Sequence, residues 1–516
     1  MKRFKMKKKE KSGSVINTSR NIVWGIVNRI FAFLIPFVMR TVLIRTLGSE
    51  YLGLDSLFTS ILQMLNIAEL GFSAAIVFSM YKPIAVGDQD KVCILLNLYR
   101  TAYRIIGAVI LIIGLLLTPM LPGLIKGHVP SDLNLYFLYF IFLGNTVIGY
   151  WMCAYKKSLL SAHQREDLNT NANTMFTLGK ALSQFFLVVI FRNYYLYLFM
   201  MPLASLAENI YIEWLTRRLF PQYVCRGKPD RDSGRDIGRR ISGLMIRKIC
   251  QVSRNSMDNI IISAYLGLSQ VTIYGNYYTI LYGVHTLLEC ITKAMSASVG
   301  NKIIVSDAEK NHADMMRFTF MYMWIASICS VCLLAVYQPF MRIWMGERLM
   351  LPDSAMILLC IYLYTLCMGD VRSVYVTSAG LWWEGRYRSA AEAVSNIVLN
   401  ILLGKYFGIS GIIVATILSI LGIDFGYGTT IVYRHYFKNG KIHTFYLLHL
   451  LCAAVTTATA YIVYTVCRLL PGCGLAGLFI KGAAAFFLGN LCLLAAYHRT
   501  GYFRDALRFV KKIIGF

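Results

Sequence analysis

Charged side chains inside long apolar segments are the residues of this sequence best suited to chemistry. Each such charge costs about 2.5 to 3.5 kcal/mol at the centre of a bilayer, so it usually faces a protein interior or a wet cavity. Arg29 and Arg40 are eleven residues apart, which places them about 20° apart around one helix. Guanidinium groups bind phosphate oxygens through forked, charge-assisted hydrogen bonds. The spacing therefore predicts a face that binds an anionic group.

A second polar face is predicted within the apolar segment 241–265. Its members recur every three or four residues, as one side of an α-helix requires: Arg247, Gln251, Arg254 and Asp258. Arg254 and Asp258 are one turn apart, and a salt bridge would lower the cost of burying either charge. We expect this pair to open when an anionic headgroup arrives, so that Arg254 binds it. The alternative is a permanent structural pair.

A third face carries tyrosines and lies within the segment 270–300. Its members share an arc of about 100° around the helix: Tyr274, Tyr278, Tyr282, His285, Glu289 and Lys293. Tyrosine rings can pack against sugars while their hydroxyls bond the sugar hydroxyls. Glu289 and Lys293 could instead form a self-contained i,i+4 ion pair.

Four further charged residues lie deep in apolar segments, and each either lines a cavity or belongs to a buried structural pair: Lys180, Asp370, Arg372 and Asp424. Arg29 and Arg247 could instead extend to the membrane surface. The residues predicted to bind substrate are Arg29, Arg40, Arg247, Arg254, Asp258, Tyr278, Tyr282, His285, Glu289, Lys180, Asp370 and Arg372.

Motifs typical of enzymes and metal sites are weak. The D-x-D at residues 88–90 could hold a divalent metal, but a solvated turn is the simpler interpretation because no catalytic domain accompanies it. The C-x-x-C of Cys329 and Cys332 lies in an apolar stretch and is interpreted as packing. The G-x-x-x-G of Gly422 and Gly426 predicts close helix packing. We expect no enzyme activity, no cofactor and no metal.

The elements that must position these residues are membrane-spanning helices. Of the 516 residues, 57% are hydrophobic and 15% charged, whereas soluble domains are roughly 45 to 50% apolar. The apolar blocks reach about 20 residues, long enough to cross about 30 Å of hydrocarbon. The alternation typical of β-barrels is absent. The sequence therefore predicts an all-α polytopic membrane protein with about 14 transmembrane helices, among them spans 388–403 and 409–433.

The distribution of charge predicts the topology. The net charge of +26 is spread over many loops and not concentrated in one solvated domain, so we expect no nucleic-acid partner. Most of the 52 Lys and Arg fall on the inner side when the first loop is placed inside. Both termini are therefore expected in the cytoplasm.

The longest hydrophilic stretch, residues 217–240, predicts a linker between two halves. Residues 47–62 resemble residues 266–281, which suits two parallel repeats of six helices. The expected segments are a basic cytoplasmic N-terminus (1–20), an N-lobe of six spans (21–216), the cytoplasmic linker (217–240), a C-lobe of six spans (241–434), two appended spans (435–498) and a basic cytoplasmic tail (499–516).

Several long stretches resemble bacterial polysaccharide or oligosaccharide flippases. They are residues 45–85, SRNSMDNIIISAYLGL (253–268), YQPFMRIWMGE (337–347), MGDVRSVY (368–375) and AGLWWEGRYRSAAEAVSNIVLN (379–400). The chain is similar to the polysaccharide transporter branch of the multidrug/oligosaccharidyl-lipid/polysaccharide exporter superfamily, and especially to the Gram-positive sugar translocases.

The resemblance implies two six-helix lobes around a central cavity, alternating access, and a place in the bacterial plasma membrane. It also implies transport of an undecaprenyl-pyrophosphate-linked oligosaccharide from the inner to the outer leaflet, with membrane lipids and polysaccharide biosynthesis enzymes as further partners. The alternatives are a cation-coupled multidrug exporter, a membrane glycosyltransferase or polymerase, and a scaffold that does not transport.

Overall fold

A computed structural model describes residues 34–66, 72–127, 129–227, 252, 256–381, 384–438, 441–470 and 474–514. Within these ranges the secondary structure is helical, with no strand. The described residues form two compact units, one up to residue 252 together with 267–269, and one of 256–266 together with 270–514. The expected boundary at the 217–240 linker lies largely outside the described residues.

The first unit contains eight helices in its described part. They are α1 (34–46), α2 (Ser49–Leu65), α3 (Phe72–Val86), α4 (Gln89–Leu117, extended by a 3-10 helix to Leu124), α5 (Leu135–Trp151), α6 (Lys157–Ala162), α7 (Glu166–Phe191) and α8 (Tyr194–Leu219).

Asx side chains start three of these helices. Asp88 accepts a hydrogen bond from the Lys91 amide at 3.1 Å, and the Asn134 and Asn193 side chains accept from the amides that open α5 and α8. These bonds satisfy amides that have no partner within the helix. The 88–90 motif is thus a helix cap and a surface turn, where Asp90 pairs with Arg226 at 2.7 Å.

The second unit contains the remaining helices. They are α9 (256–266), α10 (Leu268–Val305), α11 (Ala308–Met345), α12 (Asp353–Met368), α13 (Asp370–Ser378), α14 (Arg386–Ser419), α15 (Gly428–Val432), α16 (Ile442–Leu469), α17 (Gly474–Tyr497) and α18 (Gly501–Ile514). Two π-helices, Ile420–Tyr427 and Tyr433–Phe437, flank α15.

Helix α14 turns back on itself at Gly408. This glycine has φ 58°, a left-handed conformation that breaks the helix and favours glycine. Beyond it, a Cβ on Gly411 would collide with the Leu403 carbonyl, and Asn396 donates to the Thr416 hydroxyl at 3.0 Å. In a continuous helix, residues 20 apart would be about 30 Å apart. The predicted spans 388–403 and 409–433 are therefore two antiparallel helices.

Glycine also marks the internal echo predicted between residues 47–62 and 266–281. Gly48 precedes α2 with φ 124°, and Gly267 precedes α10 with φ 93°. In each half, a glycine in the left-handed region separates two successive helices. The sequence similarity therefore corresponds to the same local backbone feature.

Seven helices in the described part are long and apolar enough to cross a membrane, or eight if the pair Leu135–Trp151 and Ala154–Ala162, bent by 48°, is one span. One of the seven, Arg386–Phe437, contains the reversal at Gly408. The prediction of an all-α polytopic membrane protein is confirmed.

Two motif interpretations have different outcomes. Cys329 and Cys332 pack against the apolar core of the second unit, as expected. Gly422 makes no close packing contact with the described residues, because a Cβ there would meet none of their atoms within 4 Å. The backbone carbonyl of Gly426 accepts a hydrogen bond from the Tyr446 hydroxyl at 2.9 Å. Both glycines lie in a π-helix, which changes which residues face a neighbour.

Candidate functional site

A cluster of charges lies in the first unit on α1, α2 and α7. Arg40 and Lys180 are the cations that act on the carboxylate of Asp55, and all three side chains are half-buried. The charge of the same carboxylate also reaches the buried tyrosines Tyr194 and Tyr197 of α8. Two of the predicted residues, Arg40 and Lys180, thus lie within electrostatic range of one carboxylate, Asp55, that the sequence analysis did not single out.

Asp258 is the centre of a buried polar network in the second unit. Its Oδ2 accepts from the Tyr274 hydroxyl at 2.9 Å, and its Oδ1 accepts from the Asn400 amide at 2.8 Å. Asn400 also donates to Asn396 at 3.3 Å, and Asn396 donates to Thr416. The network joins α9, α10 and both arms of α14.

A ladder of tyrosine rings runs along α10. Tyr274 stacks on Tyr278 at 5.7 Å, and Tyr278 stacks on Tyr282 at 5.9 Å, both with rings inclined by 20°. Tyr362 of α12 also stacks on Tyr278, at 6.3 Å. Exposure increases along the ladder, from buried Tyr274 to Tyr282, which is 50% exposed. The predicted i,i+4 arrangement thus produces one continuous aromatic face.

One turn beyond the ladder, His285 and Asp370 come together. His285 Nε2 lies 3.2 Å from Asp370 Oδ2, to which Tyr322 of α11 donates at 2.6 Å. On its other side, His285 Nδ1 lies 3.9 Å from Glu289, and Glu289 pairs with Lys293 at 2.7 Å. The Glu289–Lys293 ion pair is therefore present, and Glu289 also lies near His285.

Arg372 and Asp424 form a buried ion pair, and a second arginine joins it. Arg372 donates to Asp424 Oδ2 at 2.9 Å, while Arg388 contacts the other carboxylate oxygen. Glu392 lies 3.9 Å from Arg388. The sequence left open whether Arg372 and Asp424 line a cavity or belong to a buried pair, and the geometry is that of a buried pair.

Two glycines make room for the Arg372–Asp424 ion pair. A Cβ on Gly428 would collide with the Arg372 guanidinium, and a Cβ on Gly369 would lie 2.8 Å from Asp424 Oδ2. Asp424 itself lies in the π-helix Ile420–Tyr427, a type of irregularity often found at functional sites.

Three of the predicted residues, Arg29, Arg247 and Arg254, lie outside the described residues. Sequence analysis missed Asp55, Arg388, Glu392, Asn396 and Asn400. A signal for the last four was available, because they recur every four residues along a predicted span and so share one helix face. The spacing of isolated charges alone does not reveal this stripe, because two of its four members are amides.

Comparison with known proteins agrees with this architecture. The family model described as "Polysaccharide biosynthesis protein" matches residues 18–296. Comparison with curated protein sequences gives no match.

Two solved structures share the fold over most of the chain. The lipid II flippase MurJ, in an inward closed conformation, has a TM-score of 0.69 at 12% identity and covers 92% of this chain and 99% of its own. An inward-facing multidrug resistance MATE transporter of the MOP superfamily has a TM-score of 0.61 at 13% identity and covers 80% and 96%. These identities are low, so the likeness concerns the fold.

The family match extends over more than half of the sequence and includes Arg40, Asp55, Lys180, Asp258 and the tyrosine ladder. The chain therefore belongs to the polysaccharide biosynthesis protein family, and it has the fold of the membrane transporters of the MOP superfamily.

Proposed function

We propose that this protein is a flippase that moves an undecaprenyl-pyrophosphate-linked oligosaccharide from the inner to the outer leaflet of the bacterial plasma membrane by alternating access. Membership of the polysaccharide biosynthesis protein family carries this proposal. The fold shared with MurJ and with a MATE transporter supports transport over catalysis.

The chemistry of such a substrate explains the kinds of residues found. A polyprenyl tail can remain in lipid, but sugars and pyrophosphate need hydrogen-bonding partners, because bare polar groups in hydrocarbon cost several kcal/mol each. Arg40 and Lys180, together with the predicted Arg29, Arg247 and Arg254, supply positive charge for the pyrophosphate. The Tyr278 and Tyr282 rings supply flat faces for sugars.

Export of small lipophilic cations is the main competing function, and the carboxylates argue against it. A cation site would need carboxylates available to the substrate. Asp424 instead contacts two arginines, and Asp258 accepts hydrogen bonds from Tyr274 and Asn400. These two described carboxylates are therefore already engaged.

The proposal is tested in the bacterium that makes the protein. When the gene is deleted, lipid-linked oligosaccharide should accumulate on the inner leaflet, and its sugars identify the glycan. Expression of the wild-type chain should remove the accumulated material. If deletion left the leaflet distribution of lipid-linked sugars unchanged, the proposed function would be wrong.

A further inference from the structure

We propose that His285, Cys367 and Asp370 form a binding site for a divalent transition metal ion, with Zn²⁺ as the best-suited ion. One ligand atom from each residue lies within 4.8 Å of the other two. The three residues come from α10, α12 and α13, so the site is built by three different helices. This inference does not rest on the proposed transport function.

The donor set is selective for the metal. An imidazole nitrogen, a thiolate sulfur and a carboxylate oxygen are the ligands that Zn²⁺ takes at about 2.0 to 2.3 Å. Ca²⁺ and Mg²⁺ prefer oxygen ligands alone, so a site with sulfur disfavours them. In a tetrahedral site these bonds separate the ligand atoms by about 3.4 to 3.8 Å. His285 Nε2 and Asp370 Oδ2 are already 3.2 Å apart. All three ligand atoms lie within 4.8 Å of one another, so a side-chain movement of about 1 Å brings them to these separations.

The surroundings of His285 match those of a metal ligand. A histidine that binds metal through one ring nitrogen usually directs the other toward a carboxylate, which fixes the ring. Here Nε2 faces Asp370 and Nδ1 faces Glu289 at 3.9 Å, while Lys293 holds Glu289 in place at 2.7 Å.

Asp370 is likewise supported and accessible. Tyr322 donates to its Oδ2 at 2.6 Å and so holds in place the carboxylate oxygen that faces His285. Its side chain is 20% exposed, whereas Cys367 is only 1% exposed. The metal therefore enters from the side of Asp370, and its fourth position there is available to water or an anion.

The test uses the full-length protein, purified in detergent with a tag that contains no histidine and treated with chelator. Titration with Co²⁺, a spectroscopic substitute for Zn²⁺, should show one equivalent bound. The visible spectrum should be that of a tetrahedral ion with a sulfur-to-metal charge-transfer band. Zn²⁺ should displace Co²⁺ and raise the unfolding temperature, because the ion binds only the folded protein.

Variants assign the ligands. Cys367→Ser should abolish the charge-transfer band, and Glu289→Gln should weaken Co²⁺ binding by about 10- to 100-fold through loss of support for His285. Cys329→Ser is the matched control, since it removes a thiol of the neighbouring helix α11, and its spectrum should equal that of the wild type. The proposal is overturned if the wild-type protein binds no stoichiometric Co²⁺, or if the band survives in Cys367→Ser or disappears in Cys329→Ser.

Discussion

Asp424 is the residue on which the burial of two arginines depends. It accepts from Arg372, which is only 2% exposed, and it contacts Arg388. Removing one partner of a buried ion pair costs about 3 to 5 kcal/mol, because the remaining charge is left without compensation. We therefore expect Asp424→Asn to lower the thermal unfolding midpoint of the detergent-purified protein strongly.

A surface carboxylate provides the control for this substitution. Asp307 pairs with Lys310 at 3.8 Å, and its side chain is 85% exposed. Asp307→Asn should cost less than about 1 kcal/mol, as exposed pairs do. Equal shifts in the two variants would show that the Asp424 cluster contributes no more than a surface pair.

Two substitutions of Asp258 distinguish the role of its charge from the role of its hydrogen bonds. Asn at this position keeps the shape and can still bond Tyr274 and Asn400. Leu removes the acceptor of the buried Tyr274 hydroxyl, at about 1 to 3 kcal/mol, and one of the two hydrogen bonds of the Asn400 amide. Asp258→Asn should remain stable but lose transport, and Asp258→Leu should also unfold at lower temperature. Full transport by Asp258→Asn would contradict a functional role for the charge.

The structure changes the test of the Arg254–Asp258 pair. The sequence alone predicts that Arg254→Met with Asp258→Leu is stable but inactive. Because Asp258 also binds Tyr274 and Asn400, Arg254→Met with Asp258→Asn is the better design. We expect this double variant to insert and fold normally and to be inactive in transport, measured by leaflet distribution of lipid-linked sugar.

Residue spacing predicted which side chains share a helix face, but not which residues of other helices they contact. The i,i+4 tyrosines of α10 do form one aromatic face. Three polar side chains also have partners in other helices: Asn400 for Asp258, Asp370 for His285 and Tyr322 for Asp370. These partners lie 48 to 142 positions away in the chain, and no periodicity within one helix can reveal them. This is also why spacing predicted no metal site, since Cys367 lies 82 residues from His285.

At the scale of elements, the reversal at Gly408 is the feature most easily tested. A Cβ on Gly411 would collide with backbone, which cannot move aside as a flexible side chain can. Gly411→Ala should therefore lower the unfolding midpoint measurably. Gly422→Ala is the control, because its Cβ meets no described atom within 4 Å, and it should leave the midpoint unchanged. Equal stability of the two variants would contradict the tight reversal.

One helix boundary followed from sequence, because Gly408 separates the predicted spans 388–403 and 409–433. The Asn134 and Asn193 caps of α5 and α8 were not predicted, although Asn is a residue type typical of caps. The π-helix Ile420–Tyr427 did not follow, because its residues are as apolar as those of a regular helix. The sequence therefore indicated that Asp424 lies deep in an apolar segment, but not on which side of its helix the carboxylate lies.

At the scale of the whole molecule, the topology is a prediction from the distribution of Lys and Arg. Reporter fusions at Gly13, Gly227 and Phe516 should all behave as cytoplasmic, because most of the Lys and Arg fall on the inner side when the first loop is placed inside. An external signal at Gly227 would break the arrangement of two six-helix lobes.

Transport of a lipid-linked oligosaccharide is the central claim, and reconstitution tests it most directly. The purified chain is placed in liposomes with a pyrophosphate-linked glycolipid, and access of an external sugar-binding reagent is measured over time. We expect the wild-type protein to equilibrate the glycolipid between leaflets, and Asp258→Asn to leave it where it was. Movement of small lipophilic cations without movement of the glycolipid would contradict the account.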